Sequence, residues 1–107
     1  MQTRKNKTFK LLTRTVKIEY TDCVHDDNGD WIYGRIYWNC SKIIIYISTK
    51  DEDGKELSDD VIETTIRHEL FHLILDVLYF RDLSENETLV EWLANATYEL
   101  KKQGLPI

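Results

Sequence analysis

Proline, glycine and cysteine are all scarce in this chain. Pro106 is the single proline, and four glycines occur in 107 residues. That excludes collagen-like and proline-rich sequence, and no internal repeat, low-complexity segment or linker is visible. One domain covering residues 1–107 is expected, with residues 1–14 as a flexible or edge arm. Cys23 and Cys40 are the only two cysteines, with no CxxC. A disulfide scaffold is therefore excluded, and both thiols are expected to be reduced and structural. No apolar run is long enough to span a bilayer. The basic start (Arg4, Lys5, Lys7, Lys10, Arg14) is broken by Thr8, Thr13 and its own charges, not followed by a signal core. A cytoplasmic protein without a membrane partner is expected. Excess positive charge is also missing. The formal net charge is −5, which argues against direct nucleic-acid binding.

The first half carries strand patterns. Thr15 to Tyr20 alternates, with Val16, Ile18 and Tyr20 on one side and Lys17 and Glu19 on the other. "DDNGD", Asp26 to Asp30, is a turn in which Gly29 is free to take positive φ. Trp31 to Trp38 reads as a second strand, and Ile43 to Ile47 as a strand buried on part of both faces. His25 sits among Asp22, Asp26, Asp27 and Asp30 and reads as a solvated loop histidine.

The second half carries helix patterns. Asp59 or Asp60 is placed to cap a helix, with Glu63 in support. Ile62, Ile66, Leu70, Leu73, Val77 and Phe80 form one apolar stripe. Val61, Thr65, His68, His72 and Asp76 form a mostly polar stripe beside it. A break is expected around Arg81 to Leu83. Ser84 with Glu87 then reads as a capping box for a helix running to about Lys102, with Leu89, Leu93, Ala96 and Leu100 facing inward and Gly104 as its stop. The expected fold class is α+β: a small antiparallel or mixed N-terminal sheet packed on two C-terminal helices.

The sharpest motif is "HELFH". His68 and His72 are i and i+4, so both rings leave one helix face on successive turns and can bind one zinc ion. Glu69 is rotated by about 100° from His68, out of ligand range but within reach of a metal-bound water as general base. Its neighbours Ile66, Leu70, Phe71, Leu73 and Ile74 are apolar, and unpaired polar groups in such surroundings are costly. A third ligand is needed from the next helix, where Glu87 and Glu91 lie one turn apart. Counting turns from the break puts Glu91 level with the histidines, and leaves Glu87 as cap or second-layer support.

"HELFHLILD" followed by a glutamate on the next helix resembles the gluzincin metallopeptidases. Thermolysin-like members read HExxHxxxD, which Asp76 matches, and "NETLVE" (Asn86 to Glu91) is similar to their NExxxD motif. That template implies Glu87 as ligand with Glu91 behind it. The ExxA template, matched by "EWLA" (Glu91 to Ala94), implies Glu91. The third ligand stays open between them. The layout over residues 15 to 100 resembles short phage- and prophage-encoded peptidases related to the ImmA/IrrE type. The resemblance implies a minimal zincin domain and a protein or peptide substrate such as a repressor-like regulator. A monomer is expected. Glu69 would take a proton from water and return it to the leaving amine. Tyr79 and Tyr98 are candidate oxyanion donors. A substrate strand could add to Ile43–Ile47 or to Trp31–Trp38. The alternative is a zinc-binding interaction module without turnover. A metal-free module using Trp31, Tyr33, Tyr37 and Trp38 is a further rival.

Overall fold

The computed structural model describes residues 4–39 and 42–107; Cys40 and the expectation attached to it lie outside them. The fold is α+β, with strands in the N-terminal half and helices in the C-terminal half. The chain forms two compact units, Met1–Ser58 and Asp59–Ile107.

The first unit holds β1 (Lys7–Leu11), β2 (Arg14–Thr21), β3 (Val24–His25), β4 (Trp31–Ile32), β5 (Gly34–Asn39) and β6 (Lys42–Ser48). Four of them make a mixed sheet in the order β1-β2-β6-β5, and β3 pairs with β4 separately. β2 and β6 run parallel, with Ile18 opposite Ile45; the other pairs are antiparallel. The alternation in β2 has the expected result. Val16 and Ile18 are buried, while Lys17 and Glu19 form an ion pair at 3.0 Å. In β6, Ile43, Ile45 and Ile47 are buried and the intervening Ile44 and Tyr46 are half-buried. Pairing on both edges makes this strand central, which accounts for its near-continuous apolar run.

Residues 7–11 take the edge alternative, as a paired strand at the margin of the sheet. Two expectations are corrected here. The aromatic segment Trp31 to Trp38 is two strands, interrupted at Tyr33. Ile43–Ile47 lies inside the sheet, so it has no free edge to offer a substrate; β1 and β5 are the edges. His25 is exposed as expected, but on β3, where its carbonyl accepts from Arg35 Nη1 at 3.0 Å. The turn at Asp26 forms as read: its Oδ1 accepts from the backbone N–H groups of Asn28 and Asp30 at 2.9 Å, and Gly29 has φ +85°.

The second unit holds α1 (Asp59–Val77), α2 (Arg81–Ser84) and α3 (Glu87–Lys102). Asp59 and Asp60 are inside the first turn of α1 rather than capping it, where their charge still complements the helix dipole. Ile62, Ile66, Leu73 and Val77 are buried, whereas Leu70 is half-buried and Phe80 exposed. Phe80 leaves the stripe because α1 stops at Val77 in a Schellman motif. The Phe80 N–H donates to the Leu75 carbonyl at 2.8 Å and the Tyr79 N–H to the Asp76 carbonyl at 3.1 Å. Tyr79 occupies the left-handed position, φ +64°, that glycine usually fills. α3 runs antiparallel to α1. Glu91 meets His68 near its start, and Lys101 meets Glu63 near its end. Its buried residues are Val90 and Ala94, and Ala96 and Leu100 are exposed, correcting the expected inward stripe. The helix stops before Gly104 at φ +97°.

Strain identifies a test of the sheet. β1 and β2 are joined by Leu12 at φ +46° and Thr13 at φ +70°, a two-residue hairpin loop with both residues left-handed. That conformation suits Asn-Gly and strains a β-branched residue. Leu12→Asn combined with Thr13→Gly is expected to raise unfolding stability by about 1 kcal/mol in urea titration, with no change in m-value.

Candidate metal centre

His68 and His72 project from successive turns of α1 with their rings edge to face, centroids 4.8 Å apart. Glu87 is the first residue of α3, and Glu91 follows one turn later. Asn86 holds this helix start: its Oδ1 accepts from the Leu89 N–H at 3.0 Å. Ser84 therefore does not cap α3, and Glu87 is not its capping partner. Freed from that role, Glu87 reaches both histidines. Its Oε2 lies 3.0 Å from His68 Nε2 and its Oε1 lies 3.1 Å from His72 Nε2. The two Nε2 atoms are 3.1 Å apart.

The far sides of both rings are also occupied. Glu91 Oε2 lies 2.8 Å from His68 Nδ1. An ionised carboxylate only accepts, so Nδ1 carries the hydrogen there. Ser84 is buried, and its hydroxyl donates to the His72 carbonyl at 3.2 Å. With its one proton spent, Ser84 Oγ can only accept from His72 Nδ1, 3.4 Å away. In the neutral form of each ring, a hydrogen on Nδ1 leaves a lone pair on Nε2. Two imidazole lone pairs and a carboxylate converge within 4.8 Å of one another. With both rings in that form, three acceptors lie close together, and a cation among them relieves their repulsion.

A divalent ion fits the same space. Donors at zinc bond lengths of ~2.0–2.1 Å in a tetrahedron are about 3.3 Å apart. The two Nε2 atoms at 3.1 Å are close to that value, and Glu87 offers a different oxygen to each, Oε2 at 3.0 Å to His68 and Oε1 at 3.1 Å to His72. The donor chemistry, two imidazoles and a carboxylate, is that of a three-ligand site open to solvent. The histidine side chains are 21% and 16% exposed, while Glu87 is 67% exposed. The centre is therefore enclosed on the α1 side and open on the α3 side. Of the two glutamates, Glu87 meets both Nε2 atoms and Glu91 meets only the outer nitrogen of His68, the reverse of the roles obtained by counting turns.

Glu69 is half-buried, and its carboxyl is pushed up from 4.5 to about 7. Burial is the main cause. The charge of Glu87 adds to it, and His72 opposes it. The remaining expected residues lie elsewhere. Asp76 is half-buried, and among the described residues its carboxylate bonds to neither histidine. Tyr79 is 87% exposed, beyond the C-terminus of α1. The Tyr98 hydroxyl donates to Asp60 Oδ1 at 2.6 Å, which pushes its pKa up to about 12. Asp60 is two turns before His68, a distance of about 12 Å along the axis, so this hydroxyl is committed away from the centre. Ser84 was misassigned by its spacing to Glu87. The signal for the true cap was Asn86 standing directly before an acidic first turn.

Two predictions follow from this geometry. Tyr79→Gly relaxes the left-handed position and removes an exposed ring, so stability is expected to rise by about 1 kcal/mol in urea titration with metal content unchanged. The second concerns Glu69 in protein stripped with a chelator. Below pH 4.5 the group is protonated folded and unfolded and has no effect. Between 4.5 and about 7 the folded state holds a proton that the unfolded chain has lost, so stability falls as pH rises. Glu69→Gln removes this penalty. It is expected to stabilise the stripped protein by roughly 3 kcal/mol at pH 8 and by almost nothing at pH 4, read from denaturation at the two pH values.

No protein-family model matches the chain, and neither a curated protein nor a solved structure matches it. The centre is read from its own chemistry.

Proposed function

We propose that the chain is a zinc-dependent peptidase. The observation that carries this reading is the convergence of His68 Nε2, His72 Nε2 and the Glu87 carboxylate, with both outer ring nitrogens already engaged. His68, His72 and Glu87 would hold the ion. Glu91 would fix the tautomer and orientation of His68, and Ser84 those of His72, the usual work of outer partners in a metal site. Zinc bound there supplies Lewis acidity toward a water and a peptide carbonyl.

The proton chemistry belongs to Glu69. It follows His68 on the same rigid turn and does not share the cluster of ligand atoms. A carboxylate with an affinity for protons near neutrality can accept one from water at its oxygen and return it to the departing amine. A pure zinc-binding module has no use for such a group, and this favours turnover over the binding-module alternative. Neither Tyr79 nor Tyr98 is assigned an oxyanion role, given their exposure and partners. The substrate is a flexible polypeptide segment; a repressor-like regulator remains the candidate that the sequence resemblance suggests. Among the described residues no helix is long and apolar enough to cross a membrane.

Elemental analysis tests the site directly. Wild type and Glu69→Gln are expected to retain about one zinc per chain after dialysis, by the stoichiometry of such sites. Glu87→Gln is expected to lose the ion, and Glu91→Gln to bind it ~10–100-fold more weakly. Peptide hydrolysis should fall by at least ~100-fold in Glu69→Gln although its metal is kept. Absence of zinc from wild type supplied with the metal would sink the reading. Retention by Glu87→Gln with loss by Glu91→Gln would move the third ligand to Glu91.

A further inference from the structure

Beside the candidate metal centre, Glu87, Thr88, Glu91, Trp92 and Asn95 line a shallow, open depression of about 490 Å³ along one exposed face of α3. Two of these residues, Glu87 and Glu91, belong to the candidate centre, so the depression adjoins it. Trp92 forms part of its wall and is 70% exposed. An indole left that far in water forgoes the burial that normally accounts for tryptophan in a fold. The buried residues of α3, Val90 and Ala94, are on another face, so helix packing does not explain it.

The charge of the depression selects its occupant. Its two ionisable lining residues are both carboxylates, and no cation lines it. Glu91 spends Oε2 on His68, and among the described residues Oε1 has no partner. An aromatic face beside an uncommitted carboxylate oxygen is suited to an ammonium or guanidinium group. The indole attracts the cation through its quadrupole, and the carboxylate accepts its hydrogen bonds. A neutral apolar side chain would strand the carboxylate, and an acidic one would be repelled.

We infer that this depression is a specificity subsite for a lysine or arginine side chain of the substrate, near the bond that is cut, with Trp92 as the residue that determines the preference. The inference rests on the peptidase reading for its place in a reaction, though not for binding. Trp92 touches neither histidine nor Glu69 in the arrangement described, so its role is selection and not chemistry.

Two measurements separate the subsite from the peptidase reading. A mixture-based peptide library cleaved by the zinc-loaded protein is expected to show lysine and arginine enriched at one position flanking the cut. Trp92→Ala should lower kcat/KM about tenfold more for those peptides than for peptides with norleucine there, and Trp92→Phe should restore most of the preference. In parallel, calorimetry on zinc-loaded Glu69→Gln compares a lysine-centred serine/alanine decapeptide with its norleucine counterpart. The lysine peptide is expected to bind about tenfold more tightly, and Trp92→Ala in that background should abolish the difference. Selective binding without any turnover would uphold the subsite and remove the peptidase reading. Turnover without a basic preference, a preference that Trp92→Ala leaves intact, or equal binding of the two decapeptides would overturn the subsite.

Discussion

The second unit is organised around a repulsion. Three acceptors, His68 Nε2, His72 Nε2 and the Glu87 carboxylate, point at one small volume from two helices. Their arrangement is held by the partners behind each ring. Glu91 and Ser84 engage the outer nitrogens, and in the neutral rings this leaves lone pairs on the inner nitrogens. Remove those partners and either ring could turn its N–H inward and satisfy Glu87 as an ordinary hydrogen bond. With them in place and both rings neutral, one proton or one cation completes the cluster, so the residues behind the rings would set its preference for a cation.

The backbone between the helices serves that arrangement. A Schellman motif ends α1 at Val77, α2 occupies a single turn, and Asn86 starts α3 with Glu87 as its first residue. This route places the beginning of α3 opposite the histidines. It also brings the buried Ser84 under His72. The route has a local cost, since Tyr79 stands in a left-handed conformation that disfavours a bulky residue. Strain in the connection and precision at the centre are two consequences of the same short path.

Much of this was legible in the residues. The i, i+4 histidines and the adjacent glutamate require only a helix, and the apolar spacing of Ile62, Ile66, Leu73 and Val77 supplies it. β2 and β6 were readable because alternation and a short apolar run have direct physical meanings. Which glutamate faces both Nε2 atoms was not readable by counting turns, because that count assumed a plain break at residues 81–83 and took Ser84 as the cap. A serine and an asparagine two residues apart are both competent caps. Only the path of the connection decides between them, and moving the cap by two residues shifts Glu87 from a structural role to the centre. Likewise the interruption at Tyr33 leaves no mark in an aromatic-rich stretch that favours strand throughout.

Under the proposed function, Glu69 is the residue that sets a hydrolytic site apart from a structural one. A structural zinc site gains nothing from a carboxyl next to its first histidine, and an unneeded buried carboxyl costs stability wherever it must ionise. Here the cost is incurred at neutral pH, since burial raises its pKa to about 7. Gln at this position would keep the shape and avoid the penalty. A destabilising carboxyl, kept beside metal ligands and with its proton affinity near the working pH, has the properties of a general base. Its location on the helix turn of His68 ties its position to that candidate ligand, so a movement of this turn carries both side chains together.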